Sequence, residues 1–136
     1  MFGKRVLITG ADGMLGSDLI SDFDGMNIFG LRSEIDITDL ITISIKLNEL
    51  KPDIIIHTAA YTDVEGCETD VDKAYKINAI GTQNLVNYCI DKDVLFIYIS
   101  STGVYGTSKD TAYSEFDNAN PTTIHHKSKY EGEKIV

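Results

Sequence analysis

The sequence predicts a doubly wound α/β fold built on a parallel sheet, and three observations carry that prediction. Four short apolar runs recur along the chain: RVLIT (5–9), NIFGL (27–31), DIIIHT (53–58) and VLFIYIS (94–100). Segments with helical spacing lie between them. A glycine triad, Gly10, Gly13 and Gly16, follows the first run directly. Strands that alternate with helices pair in parallel through right-handed crossovers and need helices on both faces of the sheet. Ligands are then expected at the carboxyl ends of the strands.

The first run is a strand at the very start of the chain, and the glycine-rich segment GADGMLG leads from it into a first helix. The second run ends in Gly30-Leu31-Arg32-Ser33. Residues 39–50 place Leu40, Ile43, Leu47 and Leu50 on one helix face, and Pro52 breaks the pattern before the third strand. The third and fourth runs are almost continuous in Val, Ile, Leu, Phe and Tyr, as expected of strands covered on both sides. Between them the spacing predicts one long helix over 69–91, with Thr69 as N-cap, Asp70 and Asp72 in the first turn, and Gly81 as a weak point inside it. Residues 101–124 are rich in Ser, Thr, Asn, Asp and Gly and read as a long loop, of a length that usually has a function. A final helix starts at about His126. There is no internal repeat and no low-complexity tract.

Composition narrows the class. The 136 residues predict one domain, 1–136, with 43% hydrophobic and 24% charged residues, which is a globular composition. A net charge of −9 without a basic cluster argues against nucleic acid and against an anionic membrane surface. Cys67 and Cys89 form no CxxC pair and have no metal-ligand company, so reduced thiols are expected and no metal site is predicted. The stretch MFGKRVLITG holds neither a signal peptide nor a membrane span, and a cytoplasmic protein is expected.

The glycine loop carries the first functional expectation. Gly10 permits the tight turn, Gly13 lets backbone approach a pyrophosphate, and Gly16 lets the helix pack close to the sheet. The helix that opens with Met14 and Leu15 turns its free N–H groups and positive dipole end toward those phosphates. In this position, after a strand and before a helix, the triad predicts a Rossmann-type dinucleotide site. An NAD-preferring site would want a carboxylate at the end of the second strand. Arg32 and Ser33 stand there instead and suit a 2′-phosphate, so NADP(H) is favoured, with NAD(H) possible because Glu34 and Asp36 are near. Arg32 as a solvated surface charge is the alternative. Asp36 and Ile37 either line the adenine pocket or precede the next helix with Asp36 as its cap.

Six segments taken together resemble successive blocks of the extended short-chain dehydrogenase/reductases. They are GADGMLG, SEIDITD, KPDIIIHTAAYTDVEGCE, KINAIGTQNL, ISSTGVYG and NPTTIHHKSKYEGEK, and within that superfamily they are similar to the dTDP-4-dehydrorhamnose reductase family. The resemblance implies that Ala59, Ala60 and Tyr61 run along the cofactor. It implies that Asn78 supports the active-site backbone and that Ser101 hydrogen-bonds a substrate carbonyl. Lys129 then grips the nicotinamide ribose. The implied reaction is hydride transfer to the C4 ketone of a dTDP-linked 4-keto-6-deoxy sugar. Ser101 as a helix-capping hydroxyl, and Lys129 as a solvated lysine, are the plainer readings of the same residues.

Two departures qualify the resemblance. His125 stands where the family carries its catalytic tyrosine, 24 residues after Ser101, and STDYVFDG is altered to SSTGVYG. A neighbouring Lys129 cation lowers a tyrosine's pKa usefully but disfavours imidazolium, so a slow reductase or none is expected. The chain also has about half the family's length, so a truncation before the substrate-binding half, or reliance on a homo-oligomer, is expected. The alternative function is a dinucleotide-binding pseudoenzyme that serves as a regulatory or scaffolding subunit. An epimerase or dehydratase ranks last, since Ser101-Thr102-Gly103 offers no carboxylate.

Overall fold

The computed structural model describes residues 3–23 and 27–136. β1 (Arg5–Thr9), β2 (Asn27–Leu31), β3 (Ile54–His57) and β4 (Leu95–Tyr98) form one sheet in the order β2-β1-β3-β4. Every pair is parallel, with Val6 opposite both Ile28 and Ile54, and Ile54 opposite Leu95. All four predicted strands are present. The strand order reverses at β1, so the connections leaving the paired carboxyl ends of β1 and β3 run to opposite faces of the sheet, which opens the crevice where doubly wound sheets bind ligands.

The alternation of side chains along each strand divides the core into two layers. Leu7, Leu31 and Ile55 face the helices α2 (Leu40–Leu50) and α5 (Thr82–Lys92), packing with Ile43, Leu47, Leu85 and Cys89. Val6, Ile8, Ile54 and Ile56 face the other way, where Leu19, Ile20 and Phe23 from α1 (Met14–Asp22) and its end cover them. Each such side chain contributes about 1.5–3 kcal/mol by leaving water. Both cysteines are buried and free.

α2 forms where its leucine and isoleucine spacing predicts. Asp39 caps it by accepting the N–H groups of Ile41 and Thr42, and Lys51 ends it in the left-handed region before Pro52. The long helix predicted over 69–91 is instead a composite. α3 (Val64–Thr69) precedes a break, and α4 (Val71–Tyr75) leads through a π-helical turn at Lys76–Gly81 into α5. Asp70, not Thr69, is the cap of α4, accepting the Lys73 N–H at 3.0 Å. Gly81 is the last residue of the π turn, and a Cβ there would meet the Ile37 side chain at 2.7 Å. A helix that widens for one turn rotates a side chain it would otherwise point outward, and such turns often serve a site.

The predicted loop 101–124 contains a 3₁₀ turn at Thr102–Tyr105, and the last helix, α6 (Ile124–Ile135), begins two residues before His126. Thr123 caps α6 by accepting the His126 N–H, and the Ile124 N–H donates to Glu68 at 2.7 Å. α6 therefore packs on α3, α4 and the π turn, with His125, Ser128, Lys129 and Gly132 buried. Among the described residues no helix is long and apolar enough to cross a membrane.

Candidate active site

A cleft of about 1110 Å³ opens at the reversal point between β1 and β3. One wall is the glycine loop. Gly10 has φ +65°, and a Cβ there would meet the Ala59 backbone at 2.8 Å. A Cβ on Gly16 would run into the Gly10 carbonyl, so α1 can approach the sheet only as it does because residue 16 is glycine. Gly13 is the N-cap of α1 and offers no side chain, which leaves the first-turn N–H groups of Met14, Leu15 and Gly16 without intrahelical partners at the cleft wall. These features fit a dinucleotide diphosphate, which needs close backbone approach and a helix N-terminus.

At one end of the cleft stand Arg32, Ser33, Asp36 and Ile37. Asp36 accepts the N–H and hydroxyl of Thr38, which holds its carboxyl below the usual range, and it lines the cleft; the helix cap is Asp39. Ala59 and Ala60 line the cleft from the end of β3, as expected.

At the other end lie Ser100, Ser101, His125 and Lys129. The Ser101 hydroxyl oxygen accepts the Gly103 N–H at 3.2 Å, so it caps the 3₁₀ turn and still has its own proton to donate. Lys129 is 4% exposed; its ammonium donates to the Ile99 carbonyl at 2.6 Å and sits 4.2 Å above the Tyr98 ring. Burial brings its pKa down to about 8, with Glu133 opposing the shift. His125 is 8% exposed, and neither ring nitrogen has a partner among the described residues. Its pKa is lowered, first by burial, then by His126, and only then by the Lys129 charge that the sequence argument invoked. The Ser100 hydroxyl is likewise buried and unpartnered.

Two expected site residues do not line the cleft. Asn78, on the π turn, is 1% exposed and lies behind it. Its Oδ1 accepts the Tyr61 N–H at 2.8 Å, while its amide donates to the Tyr61 carbonyl at 3.1 Å and to the Ser128 hydroxyl at 2.9 Å. The Tyr61 backbone is thereby clamped from both sides, and the same side chain ties the β3 loop to the helix that carries His125 and Lys129. The Tyr61 ring turns away and lies under the Lys73 ammonium at 4.3 Å.

Sequence reasoning missed a buried relay beneath this floor. Thr82 donates to the Asn78 carbonyl at 2.8 Å, so it must accept the N–H of His57 Nε2 at 3.0 Å. The Nδ1 of His57 then accepts from the Thr9 hydroxyl at 2.7 Å, and Thr9 accepts the Ala59 N–H at 3.2 Å. Every donor has one acceptor, in one direction, only if His57 is neutral. Burial, with Lys129 adding to it, pushes the His57 pKa down to about 3. The signal was a single polar residue inside the apolar run DIIIHT. Asp12 in the glycine loop was also passed over, and its carboxylate accepts the N–H and hydroxyl of Ser33. Among the described residues no group of three His, Cys, Asp or Glu side chains is arranged to hold a metal ion.

Comparison with known proteins bears on this arrangement. A family described as the RmlD substrate binding domain matches residues 4–136. A dTDP-4-dehydrorhamnose reductase of Aggregatibacter actinomycetemcomitans is 35% identical over 136 residues, covering 97% of this chain and 46% of that protein. One from Mycolicibacterium smegmatis is 34% identical over 140 residues, covering 100% of this chain and 42% of that protein. The crystal structure of dTDP-4-dehydrorhamnose reductase from Bacillus anthracis in complex with NADP superposes with a TM-score of 0.94 at 36% identity, covering 99% of this chain and 49% of that one. The chain thus spans about half the length of the relatives it matches.

Proposed function

Because the chain belongs to the RmlD substrate binding domain family, we propose that its 136 residues form the NAD(P)-binding unit of a cytoplasmic reductase acting on a dTDP-linked 4-keto-6-deoxy sugar. NADP(H) is the favoured cofactor. The observation that carries this reading is one continuous cleft that runs from the glycine loop and the α1 N-terminus to Ser101, His125 and Lys129. Similarity to a reductase solved in complex with NADP supports the choice of cofactor.

The chain's own residues divide the work. The first turn of α1 binds the diphosphate through its free backbone N–H groups, and Gly10 and Gly13 let the backbone come close to it. Arg32 and Ser33 flank the adenosine ribose, and Asp36 and Ile37 form the wall beyond it. When bound, the reduced nicotinamide supplies a hydride. Ser101 donates a hydrogen bond from its hydroxyl to the ketone oxygen, while its own oxygen accepts the Gly103 N–H. Asn78 is a positioning residue that fixes the Tyr61 backbone and α6. Nucleotide-sugar contacts come from further sequence or from a second copy of the chain.

The proton inventory predicts a slow enzyme. A neutral His125 can donate a hydrogen bond but is a very poor acid, whereas Lys129, with its pKa near 8, still carries an ionisable proton at neutral pH. The test is turnover of a dTDP-4-keto-6-deoxyhexose with NADPH by the full-length protein, wild type beside His125→Tyr. Slow turnover that the tyrosine accelerates supports the reading. No turnover by either, with NADPH still bound, would leave the dinucleotide-binding scaffold instead.

A further inference from the structure

The end of β2 lacks a carboxylate in sequence, but the folded subsite contains one. Asp12 comes from the β1–α1 loop, which the Ala11 N–H ties to the Leu31 carbonyl at 3.0 Å. Its two carboxylate oxygens accept the Ser33 N–H at 3.2 and 3.1 Å, and the Ser33 hydroxyl donates to it as well. The Ser33 hydrogen bonds chiefly, and the Arg32 charge least, favour its ionised form, and Asp12, Arg32 and Ser33 all line the cleft.

The consequence is electrostatic. Arg32 alone would make a cationic subsite selective for a 2′-phosphate. With Asp12 beside it the Arg32 charge is offset locally, and Ser33 has already committed its donors to the carboxylate. A carboxylate there accepts a hydrogen bond from a ribose 2′-hydroxyl and repels a 2′-phosphate. We propose that Asp12 sets the balance between the two nicotinamide cofactors: it holds the ribose hydroxyl of NADH and offsets the attraction of Arg32 for the 2′-phosphate of NADPH. The role that end-of-strand acids play in NAD sites passes here to the glycine loop. This rests on the cofactor reading above.

Asp12→Asn tests it, because an amide oxygen can still accept from Ser33 while the charge is gone. Dissociation constants for NADPH and NADH are measured by calorimetry on the wild-type protein and the variant. The preference for NADPH over NADH is expected to rise about tenfold in the variant, with NADPH tighter and NADH weaker. The gain for NADPH should shrink as salt is raised. Asp12→Ser, neutral and free of the amide's fit, must move the ratio in the same direction. If both cofactors bind and neither variant changes their ratio, Asp12 does not discriminate and the inference falls alone. If the wild type binds neither cofactor, the cofactor reading falls and takes the inference with it.

Discussion

Two histidines are buried within this small domain, and they differ in one respect. His57 has both ring nitrogens hydrogen-bonded, to Thr9 and Thr82, in a relay that runs from the β3 loop to the π turn. His125 is 8% exposed and has neither nitrogen paired among the described residues. Burial lowers the pKa of both, so both are neutral. The satisfied ring holds the site together; the unsatisfied one lines the cleft, as does Ser100, whose hydroxyl also has no partner among the described residues. A protein leaves a buried polar group unpaired at a cost of about 1–3 kcal/mol, and a ligand that enters the cleft is what would pair it. The comparison teaches that burial and titration behaviour alone do not separate a structural histidine from a functional one. The hydrogen-bond inventory does.

The comparison can be tested hardest at the rate. His125→Tyr in the full-length protein should raise turnover of the keto sugar by about 10² to 10⁴, the usual yield of good general acid catalysis. Steady-state NADPH oxidation reads it directly, and an unchanged rate would remove His125 from the chemistry. Next in size is the loss of the satisfied ring. His57→Leu strands the Thr9 and Thr82 hydroxyls in the core and should cost about 3–5 kcal/mol in urea unfolding.

Acid sensitivity sharpens the contrast further. A histidine with a pKa of about 3 in the fold and about 6.5 when unfolded binds more protons in the unfolded state between those values. Its contribution is therefore complete above pH 6.5 and lost as the pH falls. Between pH 6.5 and 4.5 the loss should be about 2–3 kcal/mol. Asp12, Asp36, Asp39, Asp53 and Asp117 have lowered pKa values and titrate below that window, while His125, also lowered, adds to the loss in the same direction. His57→Gln should flatten the acid limb measured by unfolding at successive pH values; a limb as steep as wild type would assign it elsewhere. The smallest effect is expected at the unsatisfied ring. His125→Phe removes two nitrogens unpaired among the described residues and should raise stability by about 1 kcal/mol. If it costs as much as His57→Leu, the two histidines are not different in kind.

Much of the architecture was legible along the chain. RVLIT and NIFGL became β1 and β2 residue for residue, and the leucine spacing with Pro52 located α2. The glycine triad gave the loop, and the residues expected along the cofactor, Tyr61 excepted, do line one cleft. These succeed because each rests on a pattern within a few residues: alternation, helical spacing, or a turn that only glycine permits. The helix expected over 69–91 forms from Val71 to Lys92, but with a π turn inside it that no local pattern foretells. That turn sits where Ile37 packs on Gly81 and Tyr61 hydrogen-bonds to Asn78, both from other parts of the chain.

By itself, then, the sequence determined the strand–helix alternation, the glycine loop and the helix that carries His125. Tertiary structure alone decided which polar groups meet. Thr9 and His57 are 48 residues apart in the chain, Asn78 and Ser128 are 50 apart, and Asp12 and Ser33 are 21 apart. No periodicity encodes such pairs. They arise because parallel crossovers bring the ends of β1, β2 and β3 and the helix α6 to one edge of the sheet, where a buried polar atom must find its partner or wait for a ligand.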